Sequence, residues 1–239
     1  VPVLLGSVIA YNAGAFSWTN FALTLLAALL VHSGANLANS YYDFKNGVDK
    51  PEFADDRGLV DGLLTPRTAL RLTLALFAAS AAVGVFLSLK HNLPGMLWLG
   101  AGGFCLAWFY TAGRISYKYK ALGDAGIFLA FGPLIVTGTA LIQTGRILPE
   151  ALWVSVPPGL LITAILHANN MRDADSDLGA GIKTLARLLG PGKSRIFYRG
   201  LLVVSYAFAF SRGLWPTVLT AVSLPLALKL DSMSAGGDF

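Results

Sequence analysis

The chain is 239 residues long, 55% hydrophobic and only 13% charged, with a formal net charge of +5 and a mean hydropathy of +0.62. An average soluble domain carries roughly 25% charged residues, so a water-soluble globular domain is excluded, and in so apolar a chain the positive balance reports orientation in a membrane instead of nucleic-acid binding. The single Cys105 lies inside an apolar run, which excludes a disulfide framework.

Apolar segments of about the bilayer-spanning length, roughly 20 residues, recur from end to end. They predict helices at 1–11 (a partial span), 18–42, 65–89, 94–110, 122–144, 149–169, 194–210 and 215–230. Gly132-Pro133 and Pro157-Pro158-Gly159 fall inside two of these, and neighbouring helices can satisfy the backbone groups such residues free. The expected fold is all-α, a multi-span transmembrane bundle of kinked helices around a central cavity, in one domain covering 1–239.

The connections between helices alternate in charge. Those after the second, fourth and sixth helices, with their flanks, hold Lys45, Lys50, Arg57, Arg67 and Arg71, then Arg114, Lys118 and Lys120, then Arg172, Lys183, Arg187, Lys193, Arg195 and Arg199; Lys229 follows the eighth. The opposite connections hold only Lys90, Arg146 and Arg212 of the 18 basic residues. Cytoplasmic loops near span ends are enriched in Lys and Arg, which places the even-numbered loops in the cytoplasm. Of the 13 acids, all but Asp124, Glu150, Asp231 and Asp238 fall in the first and third of these loops.

Two of the acidic stretches are related. NSYYDFKNGVD (39–49) and NNMRDADSD (169–177) each open with Asn at the end of an apolar helix and place Asp four residues later, Asn39 with Asp43 and Asn169 with Asp173, followed by Asp49 and Asp177. Four residues is about one helical turn, so each pair shares a face. The repeat suggests a four-helix unit used twice, its polar ends meeting across the bundle. Gathered carboxylates repel unless a cation sits among them, and carboxylate with amide oxygen is hard-donor chemistry suited to Mg²⁺, which is usually shared with substrate phosphates. A phosphorylated ligand follows, with Arg57, Lys118, Lys120, Arg172 and Lys183 in the same loops to hold its remaining charge. His32 and His167 lie in apolar helix near the same mouth, in supporting positions. Tyr41, Tyr42, Phe109, Tyr110, Tyr117 and Tyr119 read as an interfacial aromatic belt whose faces would also stabilise a cation.

NLANSYYDFKNGVD, ADDRGLVDGLLTP, the YT at 110–111, YKYKALGD (117–124) and HANNMRDADSDLGAGIKTLARLLGP run in this order over nearly the whole chain. Together they resemble the UbiA superfamily of intramembrane prenyltransferases, and within it the branch holding the bacterial MenA enzymes and the animal menaquinone synthases with a UbiA domain. The resemblance implies nine helices, of which about eight are present here, so a chain truncated at both ends is expected. It implies Mg²⁺ held by Asn39, Asp43, Asp49, Asn169, Asp173 and Asp177, with Asp43, Asp173 and Asp177 essential to catalysis. Asn36, Asp55, Asp56, Arg57, Tyr110, Lys118, Asn170, Arg172 and Lys183 are then the residues that bind substrate. The implied donor is a prenyl diphosphate, geranylgeranyl or longer, and the implied acceptor an aromatic quinol, 1,4-dihydroxy-2-naphthoate or menadiol, in menaquinone or vitamin K synthesis. The implied location is a bacterial inner membrane or a eukaryotic endoplasmic reticulum or Golgi membrane, with the active site facing the cytoplasm.

Two alternatives share the cavity: prenylation of a ubiquinone- or plastoquinone-type acceptor, and a non-catalytic membrane protein that binds or transports prenyl lipids. Acids concentrated at one mouth argue against a transport pathway. The D-G-x-x-A-R signature of CDP-alcohol phosphotransferases fails, because Leu63, Leu64, Thr65 and Pro66 follow Asp61-Gly62, and hydropathy excludes a soluble prenyl diphosphate synthase.

Overall fold

Most of the apolar runs fold as helices within a few residues of the predicted bounds. The computed structural model describes residues 1–49, 57–113, 115–174 and 182–211; Asp55, Asp56, Asp177 and the predicted helix at 215–230 lie outside the described residues. The helices are α1 (Pro2–Asn12), α2 (Trp18–Lys45), α3 (Pro66–Lys90), α4 (Gly95–Phe109), α5 (Gly123–Thr144), α6 (Pro149–Arg172) and α7 (Leu185–Ser211). Of these, α2, α3, α5 and α6 are long and apolar enough to cross a bilayer, and α1 and α4 are shorter apolar helices. The chain is an integral membrane protein. Among the described residues the only β pairing is an isolated bridge between Lys120 and Lys183.

Local chemistry sets the ends. Ser17 and Thr65 cap α2 and α3 by accepting from the backbone N–H of Asn20 and Thr68, and Pro66 takes the first helical position, where its missing N–H costs nothing. Gly145, at φ 74°, closes α5 in the left-handed conformation. The seventh helix corrects the sequence reading, which begins it at Ser194. Helix starts at Leu185, breaks at Gly190 (φ 73°, ψ 168°) and resumes from Pro191. The Gly-Pro pair is a kink inside the helix instead of a boundary before it.

Helix α2 packs along α3, and α6 along α7. Each pair is thus a helix ending in an Asn-x-x-x-Asp turn, a polar loop and a returning helix, which is the structural form of the repeat seen in sequence. Helix α5 joins the two halves, packing on α1 and α6. It contains one π-helical turn, Ala130–Leu134, around Pro133, and such turns absorb a missing backbone donor while re-aiming side chains. There α5 and α6 meet backbone to backbone: a methyl on Gly132 would lie 3.0 Å from the Ser155 carbonyl oxygen and 3.3 Å from the Gly159 Cα.

The two ends of the bundle differ as the charge count requires. At one end Asn20 donates to the Ile142 carbonyl (3.3 Å) and is joined through Oδ1 to His91 (3.0 Å), while Gln143 makes two bonds to the Ser17 backbone. At the other end the C-termini of α2, α4 and α6 come together with the turn before α5. Just beneath them His167, fully buried, bonds through Nδ1 to Asp124 Oδ1 (2.8 Å) and through Nε2 to Ser194 Oγ (2.7 Å), tying α5, α6 and α7 together. Asp124 is 4% exposed, and its Oδ2 has no hydrogen-bond partner among the described residues. His167→Ala would leave this carboxylate buried with neither oxygen satisfied, a loss of about 3–5 kcal/mol for breaking a buried pair. The expected result is a clearly lowered unfolding temperature of the purified protein in detergent; an unchanged temperature would refute the bracket.

Candidate active site

A cavity of about 1460 Å³ lies among α1 to α6, walled largely by Ala, Leu, Gly, Val, Ile and Phe. Its polar residues are concentrated at the end where α2, α4 and α6 terminate. Of the residues singled out in the sequence, Asn36, Asn39, Asp43, Asp49, Tyr110, Lys118, Asn169, Asn170, Arg172 and Asp173 all line it. They come from the last turns of α2 and α6, the segment just after α2, the end of α4 and the loop before α5.

The α2 contribution is the more buried. Asp43 is 4% exposed. Its Oδ2 accepts from Lys118 Nζ at 2.7 Å, and its Oδ1 accepts the Tyr119 hydroxyl proton. Lys118 Nζ also donates to Asn39 Oδ1 at 3.0 Å, so one ammonium bridges the Asn and Asp that the four-residue spacing placed on one face. Burial, reinforced by the Asp43 carboxylate, pushes the Tyr119 phenol above its ordinary pKa, so Tyr119 remains a hydrogen-bond donor at neutral pH.

Lys118 is aimed by a short 3₁₀ turn, Tyr117–Tyr119. Left-handed residues flank it, Ser116 (φ 30°) and Ala121 (φ 60°), an expensive conformation for side chains other than Gly. The turn is held in return by several bonds. The Lys118 N–H donates to the Tyr110 carbonyl (2.9 Å), and the Tyr117 hydroxyl to the Leu106 carbonyl (2.7 Å). Burial raises the Tyr117 phenol to about 12, which keeps this anchor protonated. Gly126 makes room for the Tyr117 ring, since a methyl there would lie 2.3 Å from it. The Lys183 N–H donates to the Tyr119 carbonyl (3.3 Å), fastening the loop after α6 to the same turn.

On α6, Arg172 grips Asp173 with two bonds, Nε to Oδ1 at 2.7 Å and Nη2 to Oδ2 at 2.9 Å. Each paired-motif aspartate therefore has a basic partner, Asp43 with Lys118 and Asp173 with Arg172. The donors at the mouth are carboxylate and carboxamide oxygens, the set that Mg²⁺ prefers. The Lys118 ammonium already sits between two of them, so the Asn39 and Asp43 oxygens accept a cation in this arrangement. Among the described residues no three His, Cys, Asp or Glu side chains gather into a metal cage; oxygen donors from a bound phosphate would complement this set.

Other sequence candidates fall elsewhere. Arg57 is exposed and pairs with Asp61 at 2.7 Å, and Lys183 is exposed on the loop; neither lines the cavity. Lys120 sits beside Lys183 in the isolated bridge. His32 lines the cavity, whereas His167 belongs to the buried bracket. Sequence reasoning did not find that bracket, nor the Tyr119 bond to Asp43. The available signal was an acid, Asp124, at the start of one apolar helix, with His167, in a second apolar helix, as a candidate partner.

Residues 1–233 match the UbiA prenyltransferase family. The chain is 39% identical over 240 residues to the UbiA prenyltransferase domain-containing protein 1 homolog of Drosophila melanogaster, an alignment covering 97% of this chain and 66% of that protein, so the chain spans just under two thirds of that relative's length. In structure it is similar to the apo form of a UbiA homolog from Aeropyrum pernix K1, with a TM-score of 0.79 at 20% identity over 99% of this chain and 88% of that one. It is also similar to a UbiA homolog from Archaeoglobus fulgidus bound to GPP and Mg²⁺, with a TM-score of 0.66 at 20% identity over 97% and 81% of the two chains. At such identity the structural likenesses establish the fold.

Proposed function

The chain belongs to the UbiA prenyltransferase family, and on that premise we propose that it transfers a prenyl group, in the presence of Mg²⁺, from a prenyl diphosphate to an aromatic quinol. The reading is supported above all by one juxtaposition: a mouth of paired Asn and Asp with Lys118 and Arg172, opening directly into a large apolar cavity. A charged head and a long hydrocarbon tail suit such a container. The Archaeoglobus homolog bound to GPP and Mg²⁺ supports the donor class.

In this reading Asn39, Asp43, Asp49, Asn169, Asp173 and Asp177 hold the metal, with Asp43, Asp173 and Asp177 the carboxylates that turnover depends on. Mg²⁺, when bound, supplies the positive charge that makes pyrophosphate a better leaving group. Lys118 and Arg172, released from their carboxylates, bind phosphate oxygens, and Asn170, Lys183, Asp55, Asp56 and Arg57 are the further residues proposed to bind substrate. The bond between prenyl C1 and the bridging oxygen breaks and its electron pair leaves on pyrophosphate. A ring carbon of the acceptor bonds to C1 and loses a proton, or loses CO₂ where it carries a carboxylate. Tyr110, which lines the cavity, would lend its ring to the positive charge that develops, and the apolar walls would keep water from the allylic cation.

The donor is geranylgeranyl diphosphate or longer, the acceptor 1,4-dihydroxy-2-naphthoate or menadiol, and the pathway menaquinone or vitamin K synthesis. The mouth faces the cytoplasm, from a bacterial inner membrane or a eukaryotic endoplasmic reticulum or Golgi membrane. Single cysteines at Lys118 and Lys183 should both label from that side of sealed vesicles; opposite accessibility would overturn the orientation. To test the reaction itself, membranes carrying the full-length protein are given Mg²⁺, geranylgeranyl diphosphate and a panel of aromatic acceptors, and the products are analysed by mass. Prenylated menadiol or prenylated, decarboxylated naphthoate is expected; absence of both while a benzoquinol precursor is prenylated would move the assignment to another quinone class.

A further inference from the structure

The polar face of α2 continues below the paired Asn and Asp. His32, Asn36, Asn39 and Asp43 are spaced 4, 3 and 4 residues apart, which keeps them on one stripe of the helix, and all four line the cavity. At 1.5 Å of rise per residue His32 lies roughly 10 Å deeper than Asn39 along the axis and roughly 16 Å deeper than Asp43. Its walls there are apolar: Ala28, Ala35 and Phe131 line the cavity nearby, with the Phe131 ring edge-on to the imidazole at 5.6 Å. His32 Nε2 meets Asn36 Nδ2 at 3.4 Å, the one hydrogen bond joining them.

His32 and Asn36 are exposed to the open cavity, and once substrate displaces water from it an imidazole and a carboxamide on this apolar stretch of wall need hydrogen bonds from that substrate. The prenyl tail has no polar atom, and the diphosphate belongs with Asp43 and Lys118. The remaining substrate has hydroxyl groups on a flat ring. Between Asp43 and His32 there is room for the diphosphate and the reacting carbon, which puts His32 at the level of the acceptor ring.

We propose that His32, with Asn36, forms the acceptor-hydroxyl site, and that the His32 imidazole takes the hydroxyl proton as the ring attacks. The proposal rests on the prenyltransferase reading above. As the C1–oxygen bond breaks and the ring carbon–C1 bond forms, electrons from the hydroxyl feed the ring and its proton passes to the imidazole, leaving a ring ketone. Loss of the ring-carbon proton, or of CO₂ from a carboxylated carbon, restores the aromatic ring, and the oxygen takes its proton back from the imidazolium. The products are prenylated quinol, pyrophosphate and one proton, or CO₂ in its place. The stripe thus divides by depth: carboxylates for the head of the donor, a neutral base for the acceptor.

The test uses full-length protein in nanodiscs with Mg²⁺, geranylgeranyl diphosphate and menadiol. Steady-state rates, direct donor binding and unfolding temperature are measured for wild type, His32→Ala, His32→Gln and Asn36→Ala. His32→Ala should lower kcat/KM for menadiol by about 10²-fold, the low end for loss of a general base, with donor affinity within about threefold of wild type. His32→Gln, which keeps a hydrogen bond but accepts no proton, should recover KM for menadiol and leave kcat depressed. Asn36→Ala should raise KM for menadiol more than it lowers kcat. Unchanged constants for menadiol in both His32 variants would overturn the proposal, as would equal losses of donor and acceptor affinity in a normally folded His32→Ala. Wild type that binds donor but prenylates no acceptor would overturn the prenyltransferase reading, and this inference with it.

Discussion

Asp43→Ala is expected to lower kcat/KM by about 10³-fold or more, the upper range for removing one preorganised charge from a site that stabilises a charged transition state. Among the described residues the substitution leaves Lys118 with Asn39 as its side-chain acceptor and removes the carboxylate that Tyr119 donates to, so a mouth built to hold cations becomes repulsive to them. Asp173→Ala should cost a comparable amount, because it removes the matching carboxylate from the second motif. Asp173 is 38% exposed in its side chain against 5% for Asp43, so its loss should disturb folding less. Steady-state rates for both variants, with circular dichroism to check that the helices are retained, decide the matter. Retention of even a tenth of wild-type turnover by either would remove that residue from the proposed metal site.

The second large effect concerns Lys118 and has opposite signs in two measurements. In the structure its ammonium spans Asn39 and Asp43, the oxygens proposed for the metal. Lys118→Met should therefore strengthen Mg²⁺ binding when no donor is present, since the ion no longer competes with an internal cation. The same variant should weaken prenyl diphosphate binding by about 10–100-fold, the worth of a charged hydrogen bond of roughly 1.5–3 kcal/mol. Metal titration and donor binding on one purified sample test both. Parallel losses of metal and donor affinity would mean that Lys118 supports the site only by packing.

The sequence held the helices and one side of the site because these depend on local chemistry. Apolar length fixed α2, α3, α5 and α6, and a four-residue spacing placed Asn39 with Asp43 and Asn169 with Asp173. What it could not supply was partnership across the bundle. Lys118 is 75 residues from Asp43 and His167 is 43 from Asp124, and no periodicity encodes either meeting. Arg57 illustrates the converse. It pairs with Asp61 one turn away, a meeting that a four-residue spacing does encode, and the hydrogen bond lowers the Asp61 carboxyl pKa. The start of α7 was misread for a local reason: Gly190-Pro191 is a strong break signal, and only packing on α6 shows that helix continues on both sides of it.

The central claim is that metal, diphosphate and acceptor meet in one cavity and that the donor's C–O bond breaks there. The most direct measurement is pyrophosphate release by purified full-length protein in nanodiscs, followed against product formation with geranylgeranyl diphosphate and menadiol. One pyrophosphate per prenylated acceptor is expected, with no release after chelation of divalent metal and with added pyrophosphate competing against the donor. Tight binding of the donor in the presence of Mg²⁺ and acceptor with no pyrophosphate released would contradict the claim and assign the cavity to carriage of prenyl lipids.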